Sequence, residues 1–289
     1  MPELPEVEII KLGLQKRIIG TKIQKIQILS KKFFLGNPNE VERQKILNIW
    51  RRAKILGIEV SDDKVLLFHL KMSGQLIWKG ESRKGKGERF IGGHPTPDMV
   101  DAMPNTHTRV IFSFSDGSHL YFNDQRKFGW IKVIENGKLI IENLLEKLGP
   151  EPLEKGFSWE TLKANLLKHK SQPVKVAIMD QSVVAGVGNI YANEACFNAK
   201  IDPRTKVKDL QDKQFKALFE GIIKSLKEGI ARGGSTRAHF VDPEGHKGYF
   251  LDYAFVYGRD KHKCKVCGTE IKKTMLGGRG AYFCPSCQS

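Results

Sequence analysis

Four of the five cysteines lie close together near the end of this 289-residue chain, and their spacing constrains the fold more than any other feature. They form two C-x2-C pairs, Cys264 with Cys267 and Cys284 with Cys287. Each pair predicts a tight turn that directs two thiolates to one point, and two such turns complete the tetrahedral shell of a structural Zn²⁺ ion. Two disulfides are the alternative, but a chain without a secretion signal is expected to stay reduced. We therefore predict one zinc ion, whereas Cys196 stands apart and is expected to be a small buried residue.

The charge of the chain indicates a polyanionic partner. The 48 lysine and arginine residues exceed the 32 acidic residues, which gives a net charge of +16. Such an excess favours nucleic acid, although charge alone leaves acidic lipid, or no polyanion at all, as alternatives. The sequence has no apolar run long enough to span a membrane and no segment that resembles a signal peptide. We therefore expect a cytoplasmic protein, associated with the nucleoid if its source is bacterial.

The first half of the chain predicts one helix followed by strands. From the opening stretch MPELPEVEII onwards, apolar residues recur at helical spacing at Val7, Ile10, Leu14 and Ile18. The stretches TRVIFSF and SHLYFND alternate apolar and polar residues on either side of an Asp-Gly turn, which predicts a β-hairpin. KVLLFHLKM and GWIKVI are further strand-like runs, so an antiparallel sandwich or barrel is expected. Residues 80–106 are rich in glycine, proline and charge, and they predict an exposed excursion.

The second half predicts helices. Apolar residues follow a helical period in SWETLKANLLKH, PVKVAIMD, NIYANEACFNA and DKQFKALFEGIIKSLKEGIA. The prolines of LGPEPL mark a domain boundary before them. Gly186, Gly188 and Asn189 form a turn before the third helix, where the backbone can approach a phosphate closely. Such a turn between two helices is as often purely structural, but the positive charge of the chain favours DNA as the source of the phosphate.

Several short motifs carry a resemblance when they are taken together. The chain contains PELPEVE at residues 2–8, RRAK at 51–54, HLKMSG at 69–74 and RKFG at 126–129, followed by LGPEPL, GVGNIYANE, VYGR and CPSCQ. In this order, and over nearly the whole chain, they resemble the formamidopyrimidine-DNA glycosylase family. Members of that family are bifunctional enzymes that remove oxidised purines from DNA.

The resemblance implies an α+β fold with an N-terminal β-sandwich domain that begins with a helix. It implies a helix-two-turn-helix domain with a four-cysteine zinc finger for the C-terminal half. We expect the catalytic sandwich domain at residues 1–135, a hinge linker at 136–150 and the helix-two-turn-helix domain at 151–235. Residues 236–289 would then hold the zinc finger and a loop that covers the damaged base.

The resemblance also assigns catalytic residues. After removal of the start methionine, the secondary amine of Pro2 is the nucleophile that attacks C1′ of the damaged nucleotide and forms an iminium link. Glu3 is the acid/base group and Glu6 supports the site, whereas Glu8 is expected to be a solvated helix residue. Lys54 places positive charge near the lesion and assists release of the base. Strand cleavage by β- and δ-elimination is implied to follow.

Further residues are implied to hold bent double-stranded DNA with the damaged base turned out of the stack. Three match residues that the family inserts into the duplex, and five match its contacts to DNA near the lesion. The inserted residues are Met72, Arg126 and Phe128, and the DNA contacts are His69, Lys175, Asn189, Tyr257 and Arg279. Arg279 can alternatively serve as a proton donor in the elimination steps.

Two other functions remain open at this point. Endonuclease VIII-type glycosylases share the proline chemistry but prefer oxidised pyrimidines; Leu4 argues against them, because that group typically begins with PEGPE. The other alternative is a zinc-finger protein that binds damaged DNA without catalysis, although binding alone requires none of Pro2, Glu3 and Lys54. We expect a monomer, because the resemblance implies one and the sequence has no coiled-coil pattern.

Overall fold

The computed structural model describes residues 1–81, 88–93, 102–135, 145–235 and 250–289. The chain divides into two compact units. The first consists of Met1–Leu145 with Gly233–Tyr249, and the second consists of Glu146–Arg232 with Phe250–Ser289. The expected lesion-covering loop lies outside the described residues from 236 to 249, and most of the expected hinge lies outside them as well.

The described part of the first unit contains one long helix and ten strands. The helix, α1, spans Leu4–Ile18, and the four apolar residues that predicted it are all buried. The strands, β1 to β10 in chain order, are Ile23–Ile28, Phe34–Leu35, Ile46–Arg52, Ile55–Val60, Lys64–His69, Gly74–Lys79, Arg89–Gly93, Thr108–Phe114, His119–Asp124 and Trp130–Glu135. The last three include the predicted hairpin, β8 with β9, which is antiparallel as expected.

The ten strands form two five-stranded sheets that enclose one hydrophobic core. One sheet has the order β1-β8-β9-β6-β7 and the other β2-β10-β5-β4-β3. Neighbouring strands are antiparallel except for β2 and β10. Buried residues of α1 and of both sheets make up the core, in which the rings of Phe68 and Phe112 lie 5.8 Å apart. Of the two expected all-strand arrangements, the sandwich is therefore confirmed.

Strand β7 corrects the expectation that residues 80–106 form an exposed excursion. It pairs with β6 at the edge of its sheet, and Phe90 is only 1% exposed. Its two glycines obscured the strand pattern, but one of them has a packing reason. A Cβ atom at Gly92 would lie 2.3 Å from Cγ1 of Ile10, so glycine lets α1 lie close to this strand.

The same close approach requires glycine on the helix. A Cβ atom at Gly13 would lie 2.2 Å from Cζ of Phe90. Near the end of α1, the guanidinium of Arg17 lies over the rings of Trp78 and Phe90 and pairs with Glu88 at 2.5 Å. These contacts hold α1 on the sheet and thereby fix where its first residues lie.

The second unit is mainly helical and ends in a two-stranded sheet. Its helices, α2 to α6, are Trp159–Leu166, Val174–Ala177, Asn189–Asn198, Asp212–Ala231 and Phe250–Tyr253, and its strands, β11 and β12, are Lys272–Leu276 and Arg279–Phe283. The four predicted helical segments are confirmed. Helices α4 and α5 pack closely, because a Cβ atom at Gly221 would lie 2.6 Å from the carbonyl oxygen of Ala195. Cys196 is fully buried, as predicted.

No helix within the described ranges combines the length and the apolar character that crossing a membrane requires.

The helix–strand contact yields a stability prediction. We expect Gly13→Ala to lower the free energy of unfolding by about 1–3 kcal/mol, because an overpacked contact forces the Phe90 ring or α1 to move. Thermal and denaturant unfolding would measure this loss. Leu12→Ala is the control on the same helix, since Leu12 is 43% exposed. Equal stability of Gly13→Ala and the wild type would show that the contact is not tightly packed.

Candidate active site and metal centre

Three turns of the first unit bring predicted site residues to the same end of the β-sandwich. Lys54 lies between β3 and β4, Met72 between β5 and β6, and Phe128 between β9 and β10. His69, the last residue of β5, pairs with the first residue of β4 and with the first residue of β10. Because these strand ends are paired, the three turns emerge side by side.

The start of α1 contributes two buried carboxylates. Pro2 is buried, and Glu3 and Glu6 are 2% and 3% exposed. The N–H of Glu3 donates to Oε2 of Glu6 at 2.8 Å, and the N–H and O–H of Ser235 donate to Oε1 of Glu6 at 2.9 and 3.0 Å. Glu6 is thus fixed on both oxygens. Sequence reasoning missed Ser235, because it is separated from Glu6 by 229 positions and belongs to no local pattern.

Lys54 completes an electrostatically coupled group with these carboxylates. Its side chain is 6% exposed, and it follows Ala53, whose φ of 52° makes the turn tight. Burial lowers the pKa of the Lys54 amine below its usual range, whereas the negative charges of Glu3 and Glu6 oppose that shift. The structure therefore brings Glu3, Glu6 and Lys54 together.

Glu8 corrects the expectation of a solvated helix residue. Its Oε2 accepts from Nε of Arg51 at 2.8 Å, and its Oε1 lies 2.5 Å from Nζ of Lys11. Burial raises the pKa of Glu8, but hydrogen bonds and charge from Lys11 and Arg51 outweigh burial and leave the pKa below its usual range. Arg51 also donates from Nη1 to the carbonyl of Ala53 at 3.2 Å. Glu8 and Arg51 therefore fasten the turn before Lys54 to α1.

His69 is a neutral hydrogen-bond donor. Burial, together with the positive charges of Lys71 and Lys54, lowers the pKa of His69 to about 3. Its Nδ1 accepts the N–H of Lys71 at 3.0 Å. Because Nδ1 is an acceptor in the neutral ring, the proton resides on Nε2. The side chain can therefore donate to an anion without carrying charge itself.

The turn between β9 and β10 exposes an aromatic ring. Phe128 is 59% exposed, and the guanidinium carbon of Arg126 lies 5.8 Å from the centroid of its ring. Met72 is half-buried on the neighbouring turn. Apolar groups that lie together on neighbouring turns are typical of an interaction site, and insertion between stacked bases is one such use.

In the second unit, the four predicted zinc ligands converge. Their sulfur atoms all lie within 4.8 Å of one another, with Cys267 and Cys284 at 3.4 Å and Cys264 and Cys287 at 4.0 Å. A tetrahedral zinc with Zn–S bonds of about 2.3 Å separates its ligands by about 3.8 Å. The donor set therefore fits Zn²⁺, and four thiolates leave no position for a catalytic water.

The strands β11 and β12 carry Arg279 on a tight hairpin. Gly277 and Gly278 form its turn with φ values of 54° and 71°, the combination that a two-residue type I′ turn requires. Arg279 directly follows this turn and is exposed. On the same hairpin, the ring of Tyr282 packs edge-on against Tyr257 at 5.2 Å. The unit thus places Arg279 and Tyr257 on connected elements.

Lys175 and Asn189 contact each other, but Lys175 is completely buried. Its Nζ donates to Oδ1 of Asn189 at 2.5 Å and to the carbonyl of Gly280 at 3.1 Å. Asn189 is half-buried at the first turn of α4. The ammonium of Lys175 therefore orients Asn189 and holds the zinc hairpin; direct contact between Lys175 and DNA stays a prediction.

Two residues of α4 hold the zinc module and were missed from the sequence. The carboxylate of Glu194 accepts the backbone N–H groups of Phe255, Val256 and Tyr257 at 2.8, 3.0 and 2.8 Å. Oδ1 of Asn193 accepts the N–H of Tyr282 at 2.7 Å. Both residues lie within the motif NIYANE, where their helical pattern gave no signal of contacts so far along the chain.

Sequence profiles match three consecutive parts of the chain. Residues 1–131 match the formamidopyrimidine-DNA glycosylase N-terminal domain, and residues 148–241 match the H2TH domain of the same enzymes. Residues 261–289 match a zinc finger found in FPG and IleRS. The zinc centre inferred from the cysteine geometry is therefore confirmed.

Similar proteins extend over the full length of the chain. Formamidopyrimidine-DNA glycosylases of Ligilactobacillus salivarius and Bacillus licheniformis are 37% and 38% identical, and each alignment covers 100% of this chain and 99% of the relative. A Lactococcus lactis Fpg mutant bound to Fapy-dG DNA has a TM-score of 0.84 at 32% identity, and MutM bound to carbocyclic 8-oxo-G DNA has 0.83 at 33%. Both comparisons cover 100% of each chain.

The depressed pKa of His69 predicts a pH-dependent stability. The folded protein holds His69 neutral down to about pH 3, whereas histidine in an unfolded chain protonates near pH 6.5. The unfolded state therefore binds more protons in this window, so stability is lost as the pH falls from about 6.5. We expect the melting temperature of His69→Gln to depend less on pH than that of the wild type between about pH 4 and 7, on either side of the ordinary histidine pKa. A wild-type His69 that titrates near 6.5 by NMR would contradict this.

The zinc centre predicts a metal-dependent hairpin. Chelation should release about one zinc per chain and lower the affinity for abasic-site DNA at least roughly tenfold, because Arg279 loses its support. Metal analysis and fluorescence anisotropy would measure both. Cys284→Ser should reproduce the loss, while Cys196→Ala is the matched control that keeps the metal. Normal DNA binding by a verified metal-free protein would contradict the assignment.

Proposed function

Because this chain belongs to the formamidopyrimidine-DNA glycosylase family, we propose that it excises oxidised purines, such as 8-oxoguanine and formamidopyrimidines, from double-stranded DNA. It is a bifunctional glycosylase and abasic-site lyase of base excision repair. The observation that carries this proposal is the buried group of Lys54, Glu3 and Glu6 beside Pro2. Buried charges are costly, and a protein that merely binds DNA has no need of them at its N-terminus.

In the proposed reaction, Pro2 is the nucleophile once Met1 has been removed. Its secondary amine attacks C1′ of the damaged nucleotide, the bond from C1′ to the base breaks, and the base leaves with a proton. The bond from C1′ to the sugar ring oxygen then breaks as that oxygen takes a proton, and the opened sugar and Pro2 are joined as an iminium ion, which withdraws electrons. Loss of a proton from C2′ expels the 3′ phosphate, and a second elimination expels the 5′ phosphate.

Glu3, Glu6 and Lys54 have separate roles in this scheme. Glu3 transfers a proton to the sugar ring oxygen as the ring opens, which its position directly after Pro2 allows. Glu6, fixed by Ser235 and by the N–H of Glu3, holds the start of α1 in place. Lys54 supplies positive charge as the base departs, and burial strengthens that effect because no water screens it.

The remaining proposed contacts bind DNA and keep the lesion accessible. Met72, Arg126 and Phe128 fill the gap left by the extruded nucleotide, and Phe128 is exposed as such a role requires. His69, Asn189, Tyr257 and Arg279 contact the backbone. Lys175 is proposed as a further DNA contact near the lesion, and it also orients Asn189. Arg279 alternatively donates a proton during elimination.

We also keep the functional division of the chain as a proposal. It assigns catalysis to residues 1–135, a hinge to 136–150, DNA binding to 151–235, and lesion covering with the zinc finger to 236–289. The protein is proposed to act as a monomer, because the family resemblance implies one and the sequence has no coiled-coil pattern. It is proposed to act in the cytoplasm, because its proposed substrate is DNA.

A borohydride trap tests the covalent step. Borohydride reduces the iminium ion to a stable amine, so wild-type protein with a confirmed Pro2 N-terminus should form a covalent adduct with an 8-oxoguanine duplex. A protein with an N-terminal extension should bind the same DNA without an adduct, because the Pro2 nitrogen is then an amide. Pro2→Gly should excise the base at least roughly 100-fold more slowly, while Pro38→Gly is the matched control.

Three outcomes would redirect the assignment. An adduct that forms equally with the extended protein would exclude Pro2 as the nucleophile. No adduct with processed, DNA-binding protein would favour a binding protein without catalysis. Faster excision of thymine glycol than of 8-oxoguanine would favour the endonuclease VIII type.

A further inference from the structure

A chain of hydrogen bonds connects the β5–β6 turn to the β9–β10 turn. The hydroxyl of Ser73 donates to Oδ1 of Asp124 at 2.5 Å and accepts the N–H of Arg126 at 2.8 Å. The other carboxylate oxygen, Oδ2 of Asp124, accepts the N–H of Gly129 at 2.7 Å. Ser73 and Asp124 therefore join the first turn to both ends of the second.

Asp124 is a rigid anchor for these bonds. It is the last residue of β9 and is completely buried. Its backbone is also held, because its N–H donates to the carbonyl of His107 at 2.9 Å and its carbonyl accepts from Nε of Arg109 at 3.0 Å. A buried carboxylate is costly without donors. Both turns are thus tied to the Asp124 carboxylate, whose burial makes the loss of either hydrogen bond unfavourable.

The conformations of the two turns require such an anchor. Each contains a lysine in the left-handed backbone region, Lys71 with φ 51° and Lys127 with φ 61°. Residues other than glycine adopt this region at an energetic cost and persist there when their surroundings impose it. The second turn also lies very close to the anchor, since a Cβ atom at Gly129 would be 3.1 Å from Oδ2 of Asp124.

We propose that Ser73 and Asp124 are positioning residues that hold Met72, Arg126 and Phe128 as one preformed array before DNA arrives. The inference rests on the proposed function, in which these three side chains enter the duplex. Ordering two turns during insertion would add an entropic cost to the cost of unstacking bases. The Ser73–Asp124 link removes that cost, because the turns already have their relative positions.

The test measures directly how fast the side chains of the array enter the duplex. A duplex with 8-oxoguanine opposite cytosine and 2-aminopurine beside the lesion reports unstacking as a rise in fluorescence after mixing. We expect Ser73→Ala to slow this rise roughly 10- to 100-fold, because small misplacements of positioned groups have effects of that size. Asp124→Asn should slow it as well, since one acceptor oxygen becomes a donor. The double variant should be no slower than either single one, because both break the same chain of bonds.

Matched variants separate positioning from general damage to the fold. Ser61 also donates to a side chain, Gln44, and accepts a backbone N–H, that of Lys45, so Ser61→Ala is the control for Ser73→Ala. Asp116 accepts from the hydroxyl and the N–H of Ser118, so Asp116→Asn is the control for Asp124→Asn. Both controls should insert at the wild-type rate. Ser73→Thr keeps the hydroxyl and should restore much of the rate.

The outcomes distinguish this inference from the proposed function. Borohydride trapping at a preformed abasic site, which has no base to unstack, should keep its wild-type yield in Ser73→Ala. Insertion by Ser73→Ala at the wild-type rate would overturn the inference, and so would equal losses in insertion and in trapping. Failure of the wild type to form an adduct would overturn the catalytic proposal alone, because the fluorescence rise needs no catalysis.

Discussion

The burial of Lys54 against Glu3 and Glu6 is the interaction on which the first unit depends. A lysine and two carboxylates are stable in an apolar surrounding only when each is held by partners. The unit provides them from distant parts of the chain: Ser235 fixes Glu6, and Arg51 with Glu8 fastens the turn before Lys54 to α1. Glycines on α1 and β7 permit the close packing that sets the helix in place.

In the second unit, the short β11–β12 hairpin has little core of its own and needs support from other elements. Zinc closes the hairpin at one end. Helix α4 bonds the hairpin through Asn193 and the segment before it through Glu194, and the ammonium of Lys175 donates to Gly280 on the hairpin. Stacking of Phe197 on Phe255, with ring centroids 4.9 Å apart, adds apolar contact at the same place. Arg279 is therefore exposed on a support that is rigid because metal and hydrogen bonds act together.

Local pattern was sufficient for much of this structure. Cysteine spacing predicted the metal centre, the period of Val7, Ile10 and Leu14 predicted α1, and alternation predicted β8 and β9. Composition misled at β7, where glycines needed for close packing resembled a loop. The bonds of Ser235 to Glu6 and of Ser73 to Asp124 left no signal, because each joins residues far apart in sequence whose types are common on any surface. Family resemblance named candidate residues but could not say what holds them.

The neutral state of His69 has a consequence for how the protein responds to ionic strength. Cationic contacts, such as the one proposed for Arg279, gain affinity by displacing counterions from DNA, and that gain shrinks as salt rises. A neutral Nε2–H group displaces none, so the proposed hydrogen bond from His69 to a phosphate would keep its strength in concentrated salt. Affinity would thus divide into a screened part that attracts the protein to any duplex and an unscreened part that acts after the turns have reached the backbone.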